Sequence, residues 1–499
     1  MPKKSGNKTQ DSALVVLKNW LHSPRKRAAK RGKTRAHPST RACQEFDLPS
    51  RPKKFNRKQF ALSLLRAGAE IEHSLAVQYL YAAYSIDETS HAARNITSLA
   101  WKTQLRLVAR EEMAHLVTVQ NLLLALGAEP HLNRGPIHRR EDELPLPFRL
   151  EPLSRRSLGK FVLFESPTDD QISKADKDVM KLIRKGLGVK SSRVLRVGKI
   201  YAALYWLFLE GEDPDPDWPF PDDCVDHFKK RFPRKYHLKD EDFIRRRKYK
   251  DRAAAADEWG VFEGSTHVDD ASPRETALGS LRWIMSQGEG PNAIEDSHFC
   301  RFLKIYKQFK KKDARSLIMK VPVNPRIKGT KGSRGKGQEI GTLITNHRTK
   351  LWGTLFNLRY QLMLLNVIDS LSASRQTMAA KRRLLARWAT EEMEFMKKIG
   401  QALPRMYLRN EKKQKPSNQK LRRPGAGAPF QAVFLPNTSA ERLALRRRIL
   451  DSCGQCISDL KDPEKNNSTD TNYLPAIAIE PSLLDSIARQ DDEMRRAME

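Results

Sequence analysis

The sequence predicts an all-α protein organised around a bundle of long helices. Apolar residues recur at three- and four-residue steps over 57–86 and again over 96–126. Both stripes carry acidic or histidine residues on their inward faces. No stretch is strand-rich, and there is no internal repeat.

The elements follow in order. Residues 1–56 are basic, with RKRAAKRGKTR at 25–35, and read as a disordered tail. The first helix places Leu65, Glu72, Ala76, Tyr79 and Ala83 on one stripe. The second presents Leu105, Val108, Glu112, His115, Val119 and Leu122/Leu123 inward and ends at Gly127, a suitable cap. A short connection makes the two antiparallel neighbours. Residues 128–190 read as a long crossover rich in breakers (LPLPFRLEPLS), with one apolar stretch, KFVLFESP. A third helix spans about 192–211, and the Pro-, Asp- and Arg-rich segment 212–272 reads as a surface insertion. Helical periodicity returns over 273–286, breaks at Gly288-Glu289-Gly290-Pro291, and resumes over 295–308 with Glu295, His298, Phe299, Phe302 and Ile305 on one side. This bundle region, 57–311, is followed by a Lys/Gly-rich linker at 312–340. A helical extension at 341–460 has helices near 346–372, 376–403 and 439–460, and a polar tail at 461–499 reads as poorly ordered.

Charge sets the expected partners. Lys and Arg number 92 against 59 Asp and Glu, a formal excess of +33. That excess favours a polyanion or another acidic partner, engaged through the basic tail and loops. No run approaches the roughly 18 apolar residues that cross a bilayer. Five cysteines in a chain without a secretory signal suit a reducing, cytoplasmic setting, with nuclear or organellar targeting by the basic N-terminus left open. Cys453-Gly-Gln-Cys456 is a lone CxxC and reads as two incidental helix thiols.

The chemistry lies in the spacing of acids and histidines. A Glu-x-x-His pair on a helix sets carboxylate and imidazole one turn apart on the same face. Two such pairs on facing helices, with single glutamates from two others, form the di-metal site of ferritin-like bundles. Here the pairs are Glu112–His115 and Glu295–His298, and Glu72 is the inward glutamate of the first helix. Glu70 and Glu111 fall on the other sides of their helices. Burying three carboxylates without a cation is costly; the alternative is a buried polar network of Glu, His and Lys with no metal.

The strings AEIEHSLAVQYLYAAYSI, AREEMAHLVTVQNLLLALGAEP, LPLPFRL, QGEG, DSHFCRF and AGAPF resemble the ferritin-like family named after iminophenyl-pyruvate dimer synthase. That family includes enzymes that couple two indolepyruvate imines on routes to violacein and rebeccamycin-type pigments. The likeness runs over roughly 57–435 and implies a ferritin-like four-helix bundle with a long crossover, a basic insertion and a helical C-terminal extension. Where the family's third helix reads like IGEFY, this chain has Val197-Gly198-Lys199-Ile200-Tyr201, so Lys199 replaces an expected glutamate. Lys199 then acts as a fixed cation beside a single metal, or it snorkels outward while Glu289 or Glu210 completes the site. Carboxylate and imidazole donors suit one or two ions of iron, with manganese or zinc as substitutes. Tyr79, Tyr81, Tyr201 and Trp206 are candidates for an apolar substrate wall.

The expectation is thus a metal-dependent oxidase or oxidative-coupling enzyme for a small aromatic or amino-acid-derived substrate. Its rival is a degenerate, non-catalytic scaffold that binds an acidic partner. The oligomeric state is not encoded in any motif.

Overall fold

In the computed structural model the described residues are 51, 55–87, 96–134, 148–167, 172–189, 198–211, 225–259, 272–289, 296–310, 317–328, 341–409, 424–431, 434–462 and 481–498. They are overwhelmingly helical, as the periodicity predicts. Helix α1 (Arg57–Tyr84) begins at a capping box in which Asn56 and Gln59 bond each other's backbone N–H groups. Helix α2 (Ile96–Ala125) stops at Gly127, whose φ of +71° is the left-handed conformation that ends helices. The crossover contains two helices that the breaker-rich composition concealed, α3 (Arg155–Phe164) and α4 (Lys174–Leu187). Helix α5 (Gly198–Phe208) is the shortest bundle member and is buried almost all round.

Short helices α6 (Val225–Arg231), α7 (Arg246–Arg252) and α8 (Ala256–Trp259) follow. They are more than surface decoration: Phe228, Phe232, Tyr249 and Trp259 are all buried. Helix α9 (Pro273–Ile284) starts with Ser272 and Glu275 in a capping box and Pro273 at its first position, and runs into a π turn at Met285–Glu289. Helix α10 (His298–Gln308) starts afresh at the Ser297 cap.

The bundle is a ring of four: α1 packs on α2, α2 on α9, α9 on α5, and α5 on α1. Helices α10 and α3 pack against each other, and α10 also touches α2. The fourth bundle helix is therefore α9, and α10 belongs to a separate layer. Beyond it a small parallel pair, β1 (Pro325–Arg326) with β2 (Thr342–Leu343), precedes helices α11 (His347–Ser372), α12 (Ala379–Ala402) and α13 (Ser439–Lys461). A further helix, α14 (Pro481–Arg496), lies in the segment read as a poorly ordered polar tail, and it buries Ile487 and Met494. Residues of α11 to α14 share one apolar core with α1 and α2, so these helices extend the bundle's core and do not form one of their own.

Candidate metal centre

Glu112 and His115 stand three residues apart on α2 and so share a face, which meets Glu72 of α1. Two more side chains come from the neighbouring layer. Glu165 caps the C-terminal end of α3, and His298 is the first residue of α10. All five are 2% exposed or less.

Glu112 is the shared member. Its Oε2 lies 3.2 Å from His115 Nδ1, which is also 3.6 Å from Glu72 Oε2. Its Oε1 lies 3.0 Å from His298 Nδ1, which is also 3.6 Å from Glu165 Oε2. Two donor triads result, Glu72–Glu112–His115 and Glu112–Glu165–His298, each with its ligand atoms within 4.8 Å of one another. The two imidazole centroids are 5.5 Å apart.

An outer layer of hydrogen bonds fixes the inner one. Tyr201 of α5 donates its hydroxyl to Glu72 Oε1, and Tyr79 of α1 donates to Glu165 Oε1. Gly68 makes room for the first of these, because a Cβ there would sit 3.2 Å from the Tyr201 hydroxyl. His298 directs Nε2 to Glu111 Oε2 at 2.9 Å, and Arg301 holds the same oxygen at 2.7 Å while also pairing with Asp296. His115 directs Nε2 to Gln287 Oε1 in the π turn at 3.2 Å and meets the edge of Trp283 at 5.0 Å between centroids.

The tyrosine contacts take up one oxygen of Glu72 and one of Glu165. Their other oxygens, with Glu112 Oε1 and His298 Nδ1, are buried and make no well-aligned hydrogen bond among the described residues, facing only the short contacts within the cluster itself. Four such atoms spread over two adjoining buried triads are unusual, since most buried polar groups are well paired. Electrostatics follows from the crowding. Burial, then the charge of Glu112, pushes the Glu72 carboxyl up to about 8. Burial pulls the His115 imidazole down, but its hydrogen bonds to Glu112 and Glu72 outweigh that and carry it up to about 9. For His298 burial likewise acts downward, and Glu112 and Glu111 raise it well above the ordinary histidine range. Protons on Glu72, His115 and His298 thus neutralise the cluster where a cation would do so instead.

The ferritin-like family pattern matches residues 65–307, which include every residue of this cluster. This stretch is a ferritin-like domain. The chain is 33% identical over 156 residues to the 2-imino-3-(indol-3-yl)propanoate dimerase of Chromobacterium violaceum, a match covering 26% of this chain and 16% of that protein. It is 36% identical over 128 residues to the dichlorochromopyrrolate synthase of Lentzea aerocolonigenes, covering 21% of this chain and 12% of the relative. The similarity therefore spans well under a fifth of either relative's length. No solved structure matches.

Within the ferritin-like domain the sequence expectations fare unevenly. Glu72, Glu112, His115 and His298 come together. Glu295 lies outside the described residues; α10 begins at His298, with Ser297 as its cap. Glu111, expected to point away, instead reaches His298 across the gap to α10. Among the described residues the further carboxylate in the cluster is Glu165; Glu210 is exposed just past α5, and the side chain of Glu289 lies outside the described residues. Lys199 is half-buried on α5, and Tyr201, two residues on, reaches the cluster. Of the expected aromatic wall, Tyr79 and Tyr201 bond cluster carboxylates, whereas Tyr81 and Trp206 bond the backbone oxygens of Pro322 and Phe232. Cys453 and Cys456 are buried with their thiols pushed up to about 12 by burial, which suits packing and not redox exchange. The tail at 1–50 lies outside the described residues. Among the described residues no helix is long and apolar enough to cross a membrane.

Proposed function

We propose that the ferritin-like domain binds two divalent cations, with Glu112 a member of both donor sets, and would use them in an oxidative reaction on a small aromatic, amino-acid-derived substrate. The observation that carries this reading is the pair of buried donor triads sharing Glu112, in which Glu72 Oε2, Glu112 Oε1, Glu165 Oε2 and His298 Nδ1 make no well-aligned hydrogen bond among the described residues. Glu72, Glu112 and His115 would hold one cation, and Glu112, Glu165 and His298 the other. The mixture of carboxylate and imidazole donors favours iron, with manganese or zinc as competitors. Redox-active cations there would supply the one-electron steps by which two hydrogens are removed, with dioxygen as the final acceptor.

The chain's own groups do the positioning. Tyr201 and Tyr79 orient Glu72 and Glu165 so that one oxygen of each turns inward. Glu111 and Gln287 hold the outer nitrogens of His298 and His115, fixing which ring nitrogen faces the centre. Trp283 and Gln287 are half-buried beside His115, so an aromatic substrate approaching from that side would meet an aromatic edge. The dimerase and synthase similarities support joining two imino-acid molecules as the specific reaction.

Elemental analysis of the purified protein tests the metal claim. Wild type would carry about two equivalents and Glu112→Ala far less, because both half-sites lose a donor. A wild-type content below about a tenth of an equivalent, even after anaerobic incubation with ferrous iron, would overturn it. Oxygen uptake with an imine formed from an aromatic α-keto acid and ammonia then tests the reaction.

A further inference from the structure

A cavity of about 360 Å³ lies on the side of α1 and α2 away from the cluster, closed by α11, α12, Trp259 of α8 and Phe430. None of the five cluster residues lines it. We propose that this cavity binds an amphiphilic organic anion, an apolar ring or chain held inside with its acidic group at the rim.

The walls are apolar and adaptable. Met113, Met363 and Met396 contribute flexible, polarizable side chains, and Trp259 and Phe430 contribute flat ones. Its volume lies at the lower end of the range that takes small organic ligands. Two polar groups of the buried lining, His73 and Tyr360, are paired. His73 donates from Nδ1 to the Leu132 carbonyl at 3.1 Å, and Tyr360 donates to His73 Nε2 at 2.5 Å. With Nδ1 donating and Nε2 accepting, the imidazole is the neutral form, so this pair adds no charge. The interior therefore calls for an apolar body.

The rim calls for an anion. Arg106 and Arg110 stand one turn apart on α2 and both line the cavity. Among the described residues neither has a carboxylate partner, whereas Lys397 of the same lining is paired with Glu394 at 2.8 Å. Two unpaired guanidinium groups beside an apolar hollow match a carboxylate or sulfonate on a hydrophobic body.

Fluorescence titration with 8-anilinonaphthalene-1-sulfonate, compared with the uncharged N-phenyl-1-naphthylamine, tests the site on the full chain. The sulfonate should bind at least about tenfold more tightly than the amine, a preference lost in the Arg106→Gln/Arg110→Gln variant. Met363→Trp, which fills the cavity, should abolish binding of both probes; Val77→Phe serves the same purpose if that variant does not fold. Glu112→Ala should leave both affinities unchanged, which separates this site from the metal centre. Equal affinity of the two probes for wild type, or undiminished binding in the folded cavity-filling variant, would overturn the proposal.

Discussion

The outer ring nitrogen of His298 lies 2.9 Å from the carboxylate of Glu111. A carboxylate accepts and cannot donate when ionised, so the hydrogen sits on Nε2 and Nδ1 is left facing inward. Because Arg301 fixes Glu111, the imidazole is both aimed and made more basic. His115 has only the neutral amide of Gln287 in the equivalent place. The two histidines are thus unequal donors.

Glu111→Gln keeps the shape of that contact and removes its charge. Metal affinity, measured by competition with a chromogenic chelator, should fall by roughly 10- to 100-fold, with the melting temperature little changed. Unchanged affinity would mean that Glu111 only braces α10.

Cation binding should expel protons. Glu72 and His115 hold theirs up to about 8 and about 9, His298 is raised well above the ordinary histidine range, and a ligand must surrender its proton to bind. Affinity should therefore rise as pH climbs towards 9 and fall as it drops. Calorimetric titration in two buffers of different ionisation enthalpy should register release of roughly two to three protons. No release would contradict the proposed donor set.

Tyr201→Phe removes the donor to Glu72 without changing the bulk of the ring. Deleting one partner of a buried hydrogen bond costs about 1–3 kcal/mol, and here the cost should appear as weaker binding of the first cation. A biphasic chelation curve in which only one equivalent leaves early is the expected signature.

His73 offers a pH test of stability away from the cluster. Its folded value of about 3 lies below the ordinary 6.5, so its contribution is complete above pH 6.5 and is lost as pH falls towards 3. Between those limits the unfolded chain takes up a proton that the native one refuses, a slope of about 1.4 kcal/mol per pH unit. Denaturant midpoints for His73→Gln should decline more shallowly than wild type across that window.

Arg359 ties α11 to α14 and α12. It sits fully buried, 2.7 Å from Asp491 and 3.3 Å from Glu392. Arg359→Leu should cost about 3–5 kcal/mol, because two buried acids lose their counter-charge. Metal content in the surviving folded fraction should match wild type.

The bundle was legible because α1 and α2 repeat their apolar stripe over many turns, and the same stripe exposed Glu72, Glu112 and His115. Glu165 was hidden by its position. It ends a ten-residue helix inside a crossover full of breakers, where only the run KFVLF preceding it hinted at burial. Glu111 misled because helical phase describes one helix, whereas its partner His298 approaches from another. Helix α14 escaped notice for a different reason. Its inward row, Leu483, Leu484, Ile487, Asp491 and Met494, contains an acid that reads as solvent-facing until Arg359 is placed opposite.

Glu72 is followed by His73 and Glu112 by Met113, and within each pair the two side chains belong to opposite compartments. Helices α1 and α2 are accordingly a party wall. A residue-by-residue substitution scan along them would yield two interleaved phenotypes, each recurring with the helical period, so that adjacent positions would differ more in kind than positions one turn apart.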